Sequence, residues 1–300
     1  MFAMPRLRLL GALVIGSALA VLLTLVVYSP AAQAHHSWGK YHWARTTTSF
    51  NLKLGDNVSS GWDTYLNATA SSSDSDWSDS SVLDTNIVTG RTTGATCAPT
   101  SGRVEVCNAA YGTNGWLGLA QIWIGRRSHI TAGTTKVNDT YFNTAKYNTP
   151  AWRQMVMCQE VGHTFGLDHQ DENHTNTNLG TCMDYTNDPS GTLGTNGTLS
   201  NEHPNQGDYD ELLCVYAPAY NGVTLSTTTH SCTGTGHLDR TTTVAPASAA
   251  STMPPAASRG DLNSRAQWGQ LIRQSRNERL ALYERNFGGG KKLVTFVIWA

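Results

Sequence analysis

The stretch Gln159-Glu160-Val161-Gly162-His163-Thr164-Phe165-Gly166-Leu167-Asp168-His169 constrains the fold more than any other part of this 300-residue chain. On a helix, residues four apart share a face, so Gln159 and His163 point at one spot and Glu160 stands just beside it. Gly166 supplies a position without a Cβ, where the chain can leave the helix and turn sharply. His169 can then reach the same spot. A metal ion held by Gln159, His163 and His169 would keep an open fourth position for water, and Glu160 would be placed to take that water's proton.

Twelve residues beyond His169 begins Thr181-Cys182-Met183-Asp184-Tyr185. Together the two strings resemble the metzincin clan of zinc endopeptidases, which joins H-E-x-x-H-x-x-G-x-x-H to a turn containing a methionine. The resemblance implies zinc ligation by His163 and His169, a general base at Glu160, the helix-ending turn at Gly166 and a Met-turn at Met183. Tyr185 follows Met183 by two, which is similar to the astacin and serralysin branches, where a tyrosine so placed ligates zinc or stabilises the oxyanion. Thr164-Phe165-Gly166-Leu167 looks more like matrixins, so the clan is named and not a family. The departure is Gln159, which stands where the clan has its first histidine. A neutral amide oxygen is a weaker donor to zinc than an imidazole nitrogen, so affinity should fall. The site keeps its net charge, and with it its pull on bound water.

The expected fold is therefore α+β, a metzincin-like catalytic domain with a twisted, mostly parallel sheet, an active-site helix and a Met-turn. Residues 1–34 read as a signal peptide: Arg6 and Arg8 make a positive start, Leu9 to Tyr28 is almost entirely apolar, and Ala32-Gln33-Ala34 is a small-x-small cleavage site. An uncleaved membrane anchor is the alternative. Cleavage would leave a secreted, extracellular chain of 266 residues starting at His35, with 19 basic against 22 acidic residues. That balance suggests neither a nucleic-acid partner nor an anionic membrane surface. A monomer acting on protein or peptide substrate is expected.

Six cysteines in a secreted chain point to disulfides. Pairing of neighbours gives Cys97 with Cys107 across a hairpin, Cys158 with Cys182, and Cys214 with Cys232. The second would tie the active-site helix to the turn that holds Met183. A thiolate ligand at Cys158 is the rival, but one residue back along a helix swings a side chain by about 100°, away from His163.

Residues 35–222 are assigned to the peptidase domain. Within them Trp62 to Ala70 reads as a short helix, and Val82 to Val88, Arg103 to Ala109, Leu117 to Ile124 and Thr134 to Phe142 read as strands. The resemblance implies that Leu117 to Ile124 is the edge strand along which a peptide is held by main-chain hydrogen bonds; an ordinary sheet strand is the alternative. Thr149-Pro150 opens the catalytic helix as N-cap and first turn, and Asn201 to Tyr216 reads as a closing helix. Asp74, Asp76 and Asp79 lack the spacing of a calcium loop. Asp168, Asp171, Glu172 and His174 crowd around the third ligand as a charged loop or as outer partners of His169. Asn67 and Asn138 sit in glycosylation sequons.

No cysteine-switch propeptide of the matrixin kind is expected ahead of the domain elements. Residues 223–258 have the Thr, Ser, Ala and Pro content of a linker. In the 259–300 appendage, Leu262 to Asn277 reads as an amphipathic helix, and Arg279 to Glu284 and Leu293 to Trp299 as a hairpin around Gly288-Gly289-Gly290. This appendage would dock on the catalytic domain, stabilise it, or cover its cleft.

The leading expectation is a secreted zinc endopeptidase, with Zn2+ on Gln159, His163 and His169, Glu160 activating water and Tyr185 steadying the oxyanion. A pseudopeptidase that grips extended peptides without cutting them is the second reading. A copper enzyme built on an amino-terminal His35 with His36 is the third and remotest.

Overall fold

The computed structural model describes residues 36–300 other than 39, 48, 72–74, 217–223, 227–230 and 234–261. The signal-peptide reading of residues 1–34, the terminus at His35 and most of the linker lie outside the described residues. The first strands are β1 (His42–Trp43), β2 (Phe50–Asn57), β3 (Leu83–Thr89), β4 (Val104–Ala109), β5 (Trp116–Ile124) and β6 (His129–Asn138). After the helices come β7 (Thr224–Ser226) and β8 (Ser231–Thr233), which pair only with each other, and then β9 (Gln270–Gln274), β10 (Leu280–Gly288) and β11 (Lys291–Trp299). The helices are α1 (Asp63–Ala70), α2 (Asp139–Phe142), α3 (Pro150–His163), α4 (Gln206–Tyr216) and α5 (Arg265–Trp268).

One nine-stranded sheet carries the molecule, in the order β3-β2-β4-β6-β5-β11-β10-β9, with β1 added beside β6. The chain is α+β, as expected, but the sheet is mixed where a mostly parallel one was expected. The strands β3, β2, β4 and β6 run parallel, since each is reached by a crossover. From β6 outward every pair is antiparallel, because short turns join β5 to β6 and β9 to β10 to β11.

The C-terminal residues extend this same sheet. Leu262 to Asn277 does not form the expected amphipathic helix: α5 ends at Gly269, whose φ of 95° suits glycine, and β9 follows. The hairpin around Gly288–Gly290 forms as expected, but its second strand pairs antiparallel with β5, from Lys292 opposite Ile124 to Trp299 opposite Trp116. So β5 is not an edge. All nine of its residues are buried.

On one face of the sheet α1 and α3 pack through Trp62, Leu66, Met155, Val156 and Val161, joined by Val294, Phe296 and Ile298 from β11. The opposite face of β5 and β11 is covered by Trp268 of α5 together with Trp116, Leu119, Tyr283, Val297 and Trp299. The pleat of β11 thus sends alternate residues into both layers.

Two expected disulfides are present, Cys97–Cys107 and Cys158–Cys182. The first does not cross a hairpin. It joins the loop before β4 to β4 itself, since β3 and β4 both pair with β2 and not with each other. Cys214 is also disulfide-bonded, while the side chain of its expected partner Cys232 lies outside the described ones. Asn67 is exposed, whereas Asn138 is fully buried and donates to the carbonyls of Gly112 and Trp116, so it offers no acceptor for a glycan in the folded chain. No helix among the described residues is long and apolar enough to cross a membrane.

Candidate metal centre

Helix α3 begins as its sequence dictates: the Thr149 hydroxyl accepts from the Trp152 amide at 3.3 Å, and Pro150 occupies the first turn. It ends at His163. Three residues on, Gly166 has φ 96°, and a Cβ there would collide with the carbonyl oxygen of Tyr41. The reversal brings His169 back onto the end of α3, where the Nε2 atoms of His163 and His169 lie 3.0 Å apart.

The two imidazoles are held in defined states. His163 Nδ1 is 2.9 Å from the Leu167 carbonyl, which can only accept, so Nδ1 carries the hydrogen and Nε2 keeps a lone pair. Burial, then the neighbouring His169, holds His163 well below the usual histidine range. His169 Nδ1 faces Asp168 Oδ1 at 3.5 Å and Glu172 Oε1 at 3.7 Å. Burial opposes its cation, but these two carboxylates outweigh burial and raise it. With that lone pair on His163, the 3.0 Å contact is a hydrogen bond donated by His169 Nε2. Two nitrogens on a tetrahedral zinc would sit about 3.3 Å apart, a few tenths of an ångström from the spacing found.

Gln159 and Glu160 are fully buried. The Gln159 Nε2 donates to the Cys182 carbonyl at 2.7 Å, which turns Oε1 the other way, with no hydrogen-bond partner among the described residues. Neither carboxylate oxygen of Glu160 has a partner among them either. Burial pushes that carboxyl well above the ordinary range. A Cβ at Gly118 of β5 would come within 2.6 Å of Glu160 Oε1, so the glycine makes room for the carboxylate. Buried oxygens left unpaired each cost on the order of 1–3 kcal/mol. Three such oxygens stand on the consecutive residues Gln159 and Glu160.

Residues Thr181 to Asp184 form a turn closed by the Asp184 amide on the Thr181 carbonyl at 3.2 Å. At this turn Met183 is buried, its sulfur lying where a Cβ on Gly162 would be 2.7 Å away. The turn is tied to α3 twice in adjacent residues, by the Cys158–Cys182 disulfide and by the Gln159 hydrogen bond. Tyr185 is buried, its ring 5.9 Å from that of His174, and burial pushes its phenol up.

Asp168, His169 and Glu172 also form a group able to hold a metal ion, their ligand atoms lying within 4.8 Å of one another. This group uses the Nδ1 side of His169. Its two carboxylates are bridged by Arg273 of β9, which contacts Asp168 and lies 3.0 Å from Glu172, so a cation already balances them. Asp168 is buried and stays ionised: although burial works against it, His169 and Arg273 hold it well below the carboxylate range.

The C-terminal strands close over this centre. The ring of Phe296 stacks on His163, 4.2 Å between centroids and 5° between planes. A narrow crevice beside His169 is lined by Glu172, Arg273, Leu280, Ala281, Leu282 and Phe296. Asn277 contacts the ring of His174. At the other end of the described chain, His36 Nε2 is 3.0 Å from Asp208 Oδ1, so that ring is engaged in a buried contact with a carboxylate.

The structure thus brings Gln159, Glu160, His163, Gly166, His169 and Met183 to one end of α3. The residues that sequence reasoning left out are Arg273 and Phe296, distant in sequence and carried by strands that read only as an appendage. Charge crowding around residue 169 was the one visible signal for Asp168 and Glu172. No protein-family model matches this chain, and no curated protein matches it.

Proposed function

We propose that the chain is a secreted zinc-dependent endopeptidase. The observation that carries this reading is the convergence of the His163 and His169 Nε2 atoms beside Gln159 and Glu160, whose buried oxygens have no partner among the described residues. Two imidazole nitrogens and a neutral amide oxygen form a donor set that zinc accepts. Zinc would be held by Gln159, His163 and His169, and when bound it polarises a carbonyl and lowers the pKa of water.

The chain's own residues do the rest. Glu160, in its carboxylate form, takes the proton from the attacking water and delivers it to the leaving amine. Leu167 fixes the tautomer of His163, and Asp168 and Glu172 orient His169 and strengthen it as a donor. Cys182 orients the Gln159 amide so that its oxygen faces away from the turn. Tyr185 steadies the oxyanion that forms at the scissile carbonyl. The substrate is an extended peptide.

The test is hydrolysis of denatured casein by zinc-loaded protein, beside Glu160→Gln and His163→Ala. Hydrolysis by the parent and not by the variants supports the proposal. Equal rates in all three would sink it. A pseudopeptidase is the second reading, favoured by the strand already seated on β5; it requires peptide binding that is stoichiometric and independent of metal.

A further inference from the structure

Strand β11 lies along β5 with an antiparallel register that runs unbroken from Lys292 to Ile298. That register sets Ile298 opposite Gly118, the residue that makes room for Glu160, and Phe296 opposite Ala120. An extended strand here crosses directly beside the zinc helix. Its inward residues Val294, Phe296 and Ile298 are all buried in the main core, and Phe296 is the one that stacks on His163.

The same C-terminal unit approaches the other histidine. Arg273 on β9 binds both Asp168 and Glu172, the two carboxylates facing His169 Nδ1. Behind β5, Gln121 donates to the Leu262 carbonyl at 3.2 Å, Trp116 to the Asn263 carbonyl at 3.0 Å, and Lys136 to the Asn263 side chain at 2.7 Å. The unit is joined to the rest of the chain through residues 234–261, which are rich in Thr, Ser, Ala and Pro.

We infer that residues 262–300 are an intramolecular inhibitor: β11 occupies as a self-supplied peptide strand the β5 edge on which a substrate would pair, while Phe296 and Arg273 shut off His163 and His169. The inference rests on the peptidase reading above and names the regulation of that site. Release requires the hairpin to leave β5, and scission of the chain ahead of residue 262 would turn an intramolecular contact into a bimolecular one, which dilution then weakens.

The test places a recognition sequence for a site-specific protease between residues 240 and 250 of the full zinc-loaded chain. Hydrolysis of a quenched-fluorescent peptide is measured before cutting and after removal of the hairpin. A rise of at least tenfold, reversed by one equivalent of a synthetic peptide copying residues 262–300, is expected. An unchanged rate in a freed chain that keeps its circular dichroism and its zinc overturns the inhibitor and leaves the peptidase standing. If no hydrolysis occurs in either state, the peptidase reading fails. The inhibitor is then judged by binding alone: the fluorescein-labelled 262–300 peptide must rebind the freed chain and be displaced by excess unfolded casein peptide, and absence of displacement overturns it. Should removal of the hairpin unfold the chain, the uncut Arg273→Ala/Phe296→Ala variant decides. A severalfold gain in hydrolysis supports the inhibitor, and no gain with zinc bound overturns it.

Discussion

Phe296 lies flat on the imidazole of His163, with 4.2 Å between ring centroids and 5° between planes. One ring belongs to the end of the α3 helix and the other to the last strand of the chain. Their stacking joins the C-terminus to the centre that the Gln159 to His169 string builds. It also covers a face of one of the two histidines whose Nε2 atoms meet.

Gln159 is the weak member of the proposed ligand set. Gln159→His replaces an amide oxygen with an imidazole nitrogen, and zinc affinity should rise on the order of tenfold, about 1.4 kcal/mol. Competition against a chromogenic chelator measures this. Unchanged affinity would show that residue 159 does not touch the metal.

Glu160 carries a carboxyl that burial pushes up and that no described group satisfies. Glu160→Gln should lower hydrolysis by about 10²–10⁴-fold. It should also make the metal-free protein more stable at neutral pH. The folded chain holds a proton that the unfolded chain releases above its ordinary carboxylate range, so stability falls as pH rises, and glutamine removes that loss. Denaturant unfolding of the two metal-free proteins at pH 7 compares them directly.

Asp184 sets a pH dependence through a group outside the proposed ligand set. Burial raises its carboxyl from 3.8 to about 7. Between those values the folded chain keeps a proton that the unfolded chain has given up, so stability declines as pH rises through the window. The slope from this one group is at most about 1.4 kcal/mol per pH unit. Asp184→Asn should flatten it, since an amide oxygen can still accept from Leu179 and Asn201. Urea midpoints measured from pH 4 to pH 8 read the slope, and an identical slope in the variant would exclude Asp184 as its source.

The Cys158–Cys182 bond closes a short loop and anchors the Met183 turn under α3. Its removal in Cys158→Ala/Cys182→Ala should lower stability by about 3 kcal/mol. Zinc affinity should fall in the same variant, because the turn that orients Gln159 is loosened. A variant that loses stability but not affinity would limit the bond to a structural role.

Local chemistry made one end of the molecule legible in the sequence. The Thr149-Pro150 start, the i and i+4 placement of Gln159 and His163, the glycine at 166 and the pairing of Cys158 with Cys182 depend on neighbours within a few turns of chain. Where the hairpin docks does not. Its alternating residues show that β10 and β11 form, but the partner β5 lies far back in sequence, and nothing in Leu293 to Trp299 names it. For the same reason the sequence leaves Leu117 to Ile124 open between an edge strand and an ordinary one, and β11 from the other end of the chain makes it an inner strand. The helix expected over Leu262 to Asn277 failed at Gly269, where the backbone turns left-handed and a Cβ would strike the Glu284 carbonyl. Strand β2 went unread because its sequence FNLKLGDN mixes two buried leucines with polar residues and ends in turn formers.

The most direct measurement is calorimetric titration of zinc into the metal-free full-length protein beside its His163→Ala and His169→Ala variants. The account predicts one zinc per chain in the parent, and binding lost or weakened by orders of magnitude in each variant. No zinc uptake by a folded parent, or uptake that survives both substitutions unchanged, would contradict it.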